Sequence, residues 1–249
     1  MTEQYRSQTG PGASFREARP TDAIASAAGL TPDRHSPDGP TQTAQPEGEG
    51  EAGFAVRRVV TGHDTRGKSI VLSDGPSPFV FSTPLLPGYV SCDIFRTFET
   101  PAHIVAQTVE TTSGPRRQLP TPRGTVIRVS QVPPYREGIA KLDSATASQA
   151  FKSLGNAGGH TATASARNAT MHRTETIDYV VVLSGELTLL LDDSEVVLHA
   201  GDVLVQCGTN HTWENRSQAP ATVMFVLMSG AYDQALREIL PDTAEVKTS

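Results

Sequence analysis

Three side chains that could move protons or hold a metal ion stand within one stretch of the chain: His172, Asp178 and His211. Imidazole titrates closest to neutral pH and is a common nitrogen ligand, while a carboxylate supplies oxygen. Two His and one carboxylate are the facial set of non-haem Fe(II) oxygenases, and such a set leaves positions open for substrate, O2 or an activated water. Without a metal the same three residues are the acid and base candidates.

For these residues to meet, the chain around them has to be sheet. Alternate side chains of a strand point to one face, so His172, Thr174, Thr176 and Asp178 share a face if the segment is extended, with Val180 and Val182 continuing it inward. A buried His and Asp cost free energy unless each has a partner, which a metal ion or a mutual hydrogen bond would provide. From Asp178 onward, apolar runs alternate with turn signals. The runs are Tyr179–Leu183, Leu187–Leu191, Val196–His199, Val203–Gln206, His211–Glu214 and Thr222–Met228, separated by turns such as Ser184-Gly185-Glu186 and Ala200-Gly201-Asp202. Short, evenly spaced strands of this kind predict an antiparallel sandwich or barrel. If the sheet curls, the strand that starts at His211 approaches His172. Trp213, two residues from His211, and Gln206 join Thr174 as candidate walls of a substrate pocket.

Upstream, Ala55–Val60 and Lys68–Ser73 flank the turn-like TGHDTRG and predict a hairpin, followed by strands over Val90–Phe98, Pro101–Val109 and Arg123–Val132. Residues 139–170 form an insertion: a helix over Ile139–Leu154, then the loop GNAGGHTATASARNAT, either a lid over the barrel mouth or a surface excursion. His63, in the turn, is read as structural; His160, in the loop, and His199, at a strand end, are read as weak ligand candidates. Ala231–Leu240 has a short helical pattern ended by Pro241 within the tail 230–249. Residues 1–53, rich in Pro, Gly, Ser, Thr, Ala and Glu, bury too little apolar surface to order and are expected to be a disordered leader.

The chain has 249 residues, a net charge of -6, 37% hydrophobic residues and two cysteines. Residues 1–52 carry eight acids and four Arg, so the remainder is close to neutral; no basic patch for nucleic acid is visible. No apolar run approaches a membrane span and no signal peptide is visible, so the expected setting is the cytoplasm, with Cys92 and Cys207 as reduced thiols. No phosphate loop, nucleophile elbow or zinc-finger spacing is present.

The stretch from His172 to Asn215 resembles a cupin. The first cupin motif reads H-x-H, three or four residues, Glu, six residues, Gly; His172, Asp178 and Gly185 fill it, with Thr174 in place of the second His. Gly201-Asp202, His211 and Asn215 match the second motif. The segment VRRVVTGHDTRGKSIVLSDG is similar to the opening of a subgroup of small bacterial and fungal cupins, many found with biosynthetic genes. The resemblance implies an all-β jelly-roll barrel over 54–229 and a homodimer paired through N-terminal strands, which would also cover an exposed hairpin edge. It implies a divalent metal (Fe(II), Mn or Zn) at His172, Asp178 and His211, or none, since Thr174 leaves the site one ligand short. The function implied is an oxygenase acting on an aromatic or polyketide-like metabolite. The alternatives are a dehydratase, isomerase, cyclase or decarboxylase using His and Asp as acid and base, and a cupin that binds a ligand without turnover.

Overall fold

Sequence alternation becomes structure most clearly in the strand Thr176–Ser184. Thr176, Asp178, Val180 and Val182 are each 5% exposed or less, while Ile177, Tyr179 and Leu183 face outward. A computed structural model describes residues 54–83, 86–135, 142–156, 158–162 and 167–241, all within one compact unit of the chain, Gln45–Ser249. The expected leader, parts of the 139–170 insertion and the last residues of the tail lie outside the described residues.

In chain order the described elements are β1 (Arg57–His63), β2 (Ser69–Pro76), β3 (Val80–Ser82), β4 (Val90–Thr97), β5 (Thr125–Val132), α1 (Ser144–Ser153), β6 (Thr176–Ser184), β7 (Glu186–Leu190), β8 (Glu195–His199), β9 (Val203–Cys207), β10 (Thr212–Glu214), β11 (Ala221–Ser229) and α2 (Gln234–Ile239). The fold is all-β, as expected. Six strands pair in the order β3-β4-β5-β11-β6-β9, three in the order β10-β7-β8, and β1 with β2 as a separate hairpin. Every pairing is antiparallel.

The two larger sheets face each other across a core of Val180, Leu187, Ala221 and Val223, against which Val132, Leu204, Trp213 and Phe225 pack. The six-stranded sheet turns into the smaller one at Gly185, whose φ of +78° suits glycine. A Cβ there would also stand 2.9 Å from the Ala221 Cα. Asn215 closes the far end: its amide donates to the carbonyls of Val132 at 2.9 Å and Ala219 at 2.8 Å, which ties the turn before β11 to the end of β5.

Several expectations need correction. Pro101–Val109 is not a strand: it touches β1 through one backbone bond, His63 N–H to Ala106 O at 2.7 Å, and leaves Ile104 and Val109 largely exposed. Its β-branched residues suit a strand, but no sheet edge offers it a ladder. His63 is the last residue of β1 rather than part of the turn. The helix of the insertion is shorter than expected and starts at Asp143, whose carboxylate accepts from the Thr146 N–H at 2.7 Å as an N-cap. Among the described residues no helix is long and apolar enough to cross a membrane.

Leu187 is fully buried at the centre of the core, so Leu187→Ala should lower stability by about 2–5 kcal/mol. Urea unfolding followed by circular dichroism measures this, and a loss well under 1 kcal/mol would contradict the core assignment.

Candidate functional site

His172 and His211 lie 39 positions apart yet sit side by side. Each donates its backbone N–H to the other's carbonyl at 2.9 Å, and the ring centroids are 4.3 Å apart. His172 lies just before β6 and His211 just before β10, so the bridge joins the two sheets. The imidazoles are oriented alike: Nδ1 of His172 is 3.0 Å from Thr170 O, and Nδ1 of His211 is 2.9 Å from Thr209 O. A carbonyl can only accept, so each Nδ1 carries the proton and each Nε2 keeps its lone pair.

Both imidazoles line a cavity of about 230 Å³ together with Asp178 from β6. Phe151 of α1, Trp213 of β10 and Phe225 of β11 supply aromatic wall. Phe151 stacks beside His172 with centroids 4.9 Å apart, and Trp213 meets His211 edge-on at 5.7 Å and Phe225 at 5.6 Å. Helix α1 therefore lines the cavity, as the lid reading of the insertion expects. Thr174 also lines it, its hydroxyl 2.8 Å from that of Thr176.

The expected ligand set is not assembled. Among the described residues no three His, Cys, Asp or Glu side chains lie where they could share a metal ion, so His172, Asp178 and His211 share a cavity without forming a three-ligand centre. Thr174, in the place of the second motif His, is engaged with Thr176. Gln206 was expected in the pocket but does not line it: it is 3% exposed and its amide is held by the Thr209 carbonyl at 3.1 Å and by the Thr209 hydroxyl. A partner three residues away captures the amide before it can reach the cavity.

Residues 161–227 match the Cupin_2 family model, described as a cupin domain. The chain carries a cupin domain. Similar proteins include phomopsin biosynthesis cluster protein C' of Diaporthe leptostromiformis, 65% identical over 48 residues, which are 19% of this chain and 25% of that protein. The cupin-domain-containing oxidoreductase virC of Hypocrea virens is 39% identical over 62 residues, 23% of this chain and 32% of that protein. The chain thus spans only a quarter to a third of the length of these curated relatives. Among solved structures, the Cupin_2 domain of an XRE family transcriptional regulator from Enterobacter cloacae is 17% identical, with 43% of this chain and 83% of that one covered at a TM-score of 0.26.

Inside the cupin cavity the ionisable groups are displaced from their ordinary behaviour. Burial lifts the Asp178 carboxyl to about 6, against the opposing pull of the Thr176 hydroxyl and the Arg128 charge. Its Oδ1 is buried with no hydrogen-bond partner among the described residues. Burial draws His172 down to about 4, the Thr170 carbonyl opposing and the nearby His160 adding to the shift. Burial and then His172 draw His211 to about 3. Both imidazoles are thus neutral at pH 7, and Asp178 titrates nearest to it.

One neighbour was underrated by the sequence. His160 is 2% exposed, pairs with His172 through a backbone bridge, and packs 5.5 Å from Phe151. Its Nε2 is spent on Ala169 O at 2.8 Å, so it buttresses His172 rather than facing the cavity. Its position in a Gly- and Ala-rich loop hid this, because nothing local marks a residue that pairs only through tertiary contact.

An aspartate whose folded pKa lies above its unfolded value contributes stability that is fully present below the unfolded pKa and is lost as pH rises through the folded value, here about 6. The lowered imidazoles act in the opposite sense and cost stability as pH falls toward about 4. Asp178→Asn should therefore raise the melting temperature by several degrees at pH 8, with the gain gone near pH 4. Thermal melts across that range read the difference, and an equal effect at both ends would refute the burial of an ionised carboxylate.

Proposed function

We propose that the cupin cavity is the active site of a small-molecule enzyme that works by proton transfer, of the isomerase, cyclase or dehydratase kind. The observation that carries this reading is that Asp178, with an unpartnered buried oxygen, faces the same aromatic-walled cavity as two imidazoles whose Nδ1 atoms are tied off. In this reading Asp178 is the base: its carboxylate takes a proton from the substrate and returns it to another atom, or to the departing hydroxyl where water is lost. Its pKa near 6 keeps it mostly ionised at neutral pH while making it more basic than an exposed aspartate. The Nε2 atoms of His172 and His211 accept hydrogen bonds from donors on the substrate and orient it toward the Asp178 carboxylate. The Phe151, Trp213 and Phe225 rings exclude water and suit a flat, largely apolar molecule. Similarity to proteins named for biosynthesis clusters supports a secondary metabolite as substrate.

A second reading, an oxidoreductase, is favoured by the names of two relatives, virC and the Neurospora crassa protein srdD, the latter 40% identical over 62 residues.

One experiment separates them. The protein is incubated in D2O with a metabolite extract of its host, with and without O2 and EDTA, and the products are read by mass spectrometry. Proton transfer predicts a product that has gained solvent deuterium or lost water, formed without O2 and in EDTA, at a rate that rises with pH through about 6. Asp178→Asn should reduce that rate by about 10²-fold or more. Turnover that requires O2 and stops on chelation would replace this reading with the oxidoreductase.

A further inference from the structure

The cavity has a second chemical end, built from residues outside the cupin motifs. Arg116, Arg128 and Tyr89 line it together with the imidazoles. Around the buried carboxylate of Asp93 stand three guanidinium groups. Arg128 Nε donates to Asp93 Oδ1 at 2.7 Å, and Arg96 donates to Asp93 Oδ2, with its Nε at 3.1 Å. The two terminal nitrogens of Arg128 donate to the carbonyls of Gln118 at 3.1 Å and Arg117 at 2.8 Å. Asp93 is thus already shared between two guanidiniums, and among the described residues no carboxylate lies within ion-pair distance of Arg116.

Arg116 is the poorly satisfied member. Its Nε is shut off from solvent with no partner among the described residues. One terminal nitrogen donates to the Arg117 carbonyl at 2.7 Å; the other reaches only the Ser91 hydroxyl, at 3.4 Å. The guanidinium carbon lies 5.3 Å from the centre of the Phe81 ring, which positions its plane but brings no negative charge. A buried cation normally has a counter-charge, because desolvation without one is costly. The local field shows the same excess. Burial, and then Arg128, draw the Arg116 guanidinium down to about 10, against the opposing pull of Tyr89 and Asp93. Burial by itself would raise the Tyr89 phenol, yet Arg116 and Arg128 bring it below its ordinary value.

We propose that Arg116, backed by the charge of Arg128, is the anion subsite of this cavity and takes a carboxylate carried by the substrate. The ligand class is then an apolar, aromatic-sized carboxylic acid: its carboxylate lies against Arg116 and its body against Phe151, Trp213 and Phe225, which brings the reacting part toward Asp178, His172 and His211. The terminal nitrogen that reaches Ser91 has donor capacity left for a carboxylate oxygen, and a charge-assisted bond of that kind is stronger than the one a neutral amide can accept. The inference rests on reading this cavity as the substrate site, but not on the proton-transfer chemistry.

The test compares 3-phenylpropionate with its neutral amide, titrated into the full chain and followed through the fluorescence of Trp213, the single tryptophan. The acid should bind about tenfold or more tightly than the amide, the margin expected of hydrogen bonds to a charged group. Arg116→Gln should abolish the preference. Arg116→Lys should retain part of it. Thermal melts confirm that each variant is folded; if Arg116→Gln unfolds, the acid-to-amide ratio of the wild type and of Arg116→Lys decides. Equal binding of acid and amide by the wild type, or a preference that survives Arg116→Gln, overturns the proposal. Neither result bears on deuterium uptake, so the subsite and the proton-transfer reading can fail separately.

Discussion

The site depends on the parity of β6. This strand lies between β11 and β9, with Val180 opposite Phe225 on one side and Leu204 on the other. A slip of one residue would turn Ile177, Tyr179 and Val181 inward and expel Val180 and Val182, the most deeply buried valines of the strand. The apolar contacts of Val180 with Leu187, Ala221 and Val223 therefore hold Asp178 inside the barrel, although burial of that carboxylate is unfavourable. Core packing offsets the cost of placing an acid where water is scarce.

Polar groups forced inward by the same parity are mostly satisfied locally. Thr174 and Thr176 bond each other, and the Nδ1 atoms of His172 and His211 find carbonyls two residues back. Among the described residues Asp178 Oδ1 is the exception on this strand, and a second unpaired atom, Arg116 Nε, comes from the loop between β4 and β5. Buried polar atoms rarely go unpaired, and here two belong to residues that line the same cavity and differ in sign of charge. The cavity thus carries acidic, basic and aromatic surface.

What could be read from the sequence was whatever local pattern controls. Strands β6 to β11 were legible because period-two alternation and turn residues act over a few positions, and Gly185 and Gly201 mark turns that require positive φ. His172, Asp178, His211 and Trp213 were identified by type and parity, and all four reach the cavity. Gln206 misled because parity gives direction but not reach, and Thr209 lies closer than the cavity does. Pro101–Val109 misled because strand-like composition needs a neighbouring edge to pair with. His160 and Phe151 were passed over because their roles exist only where the insertion meets the His172 bridge.

The sequence by itself determined the all-β class and the shared face of His172, Thr174, Thr176 and Asp178, since these follow from side-chain alternation, and the spacing of His172, Asp178, Gly185 and His211 carried the resemblance to a cupin. Only the tertiary structure decided that His172 and His211 pair, that Asp178 belongs to no three-ligand set among the described residues, and that Arg116 and Arg128 join the same cavity. The reason is sequence distance. Asp93 and Arg128 are 35 positions apart and His172 and His211 are 39, and no local preference encodes a distance across sheets whose closure is set by the packing of the whole core.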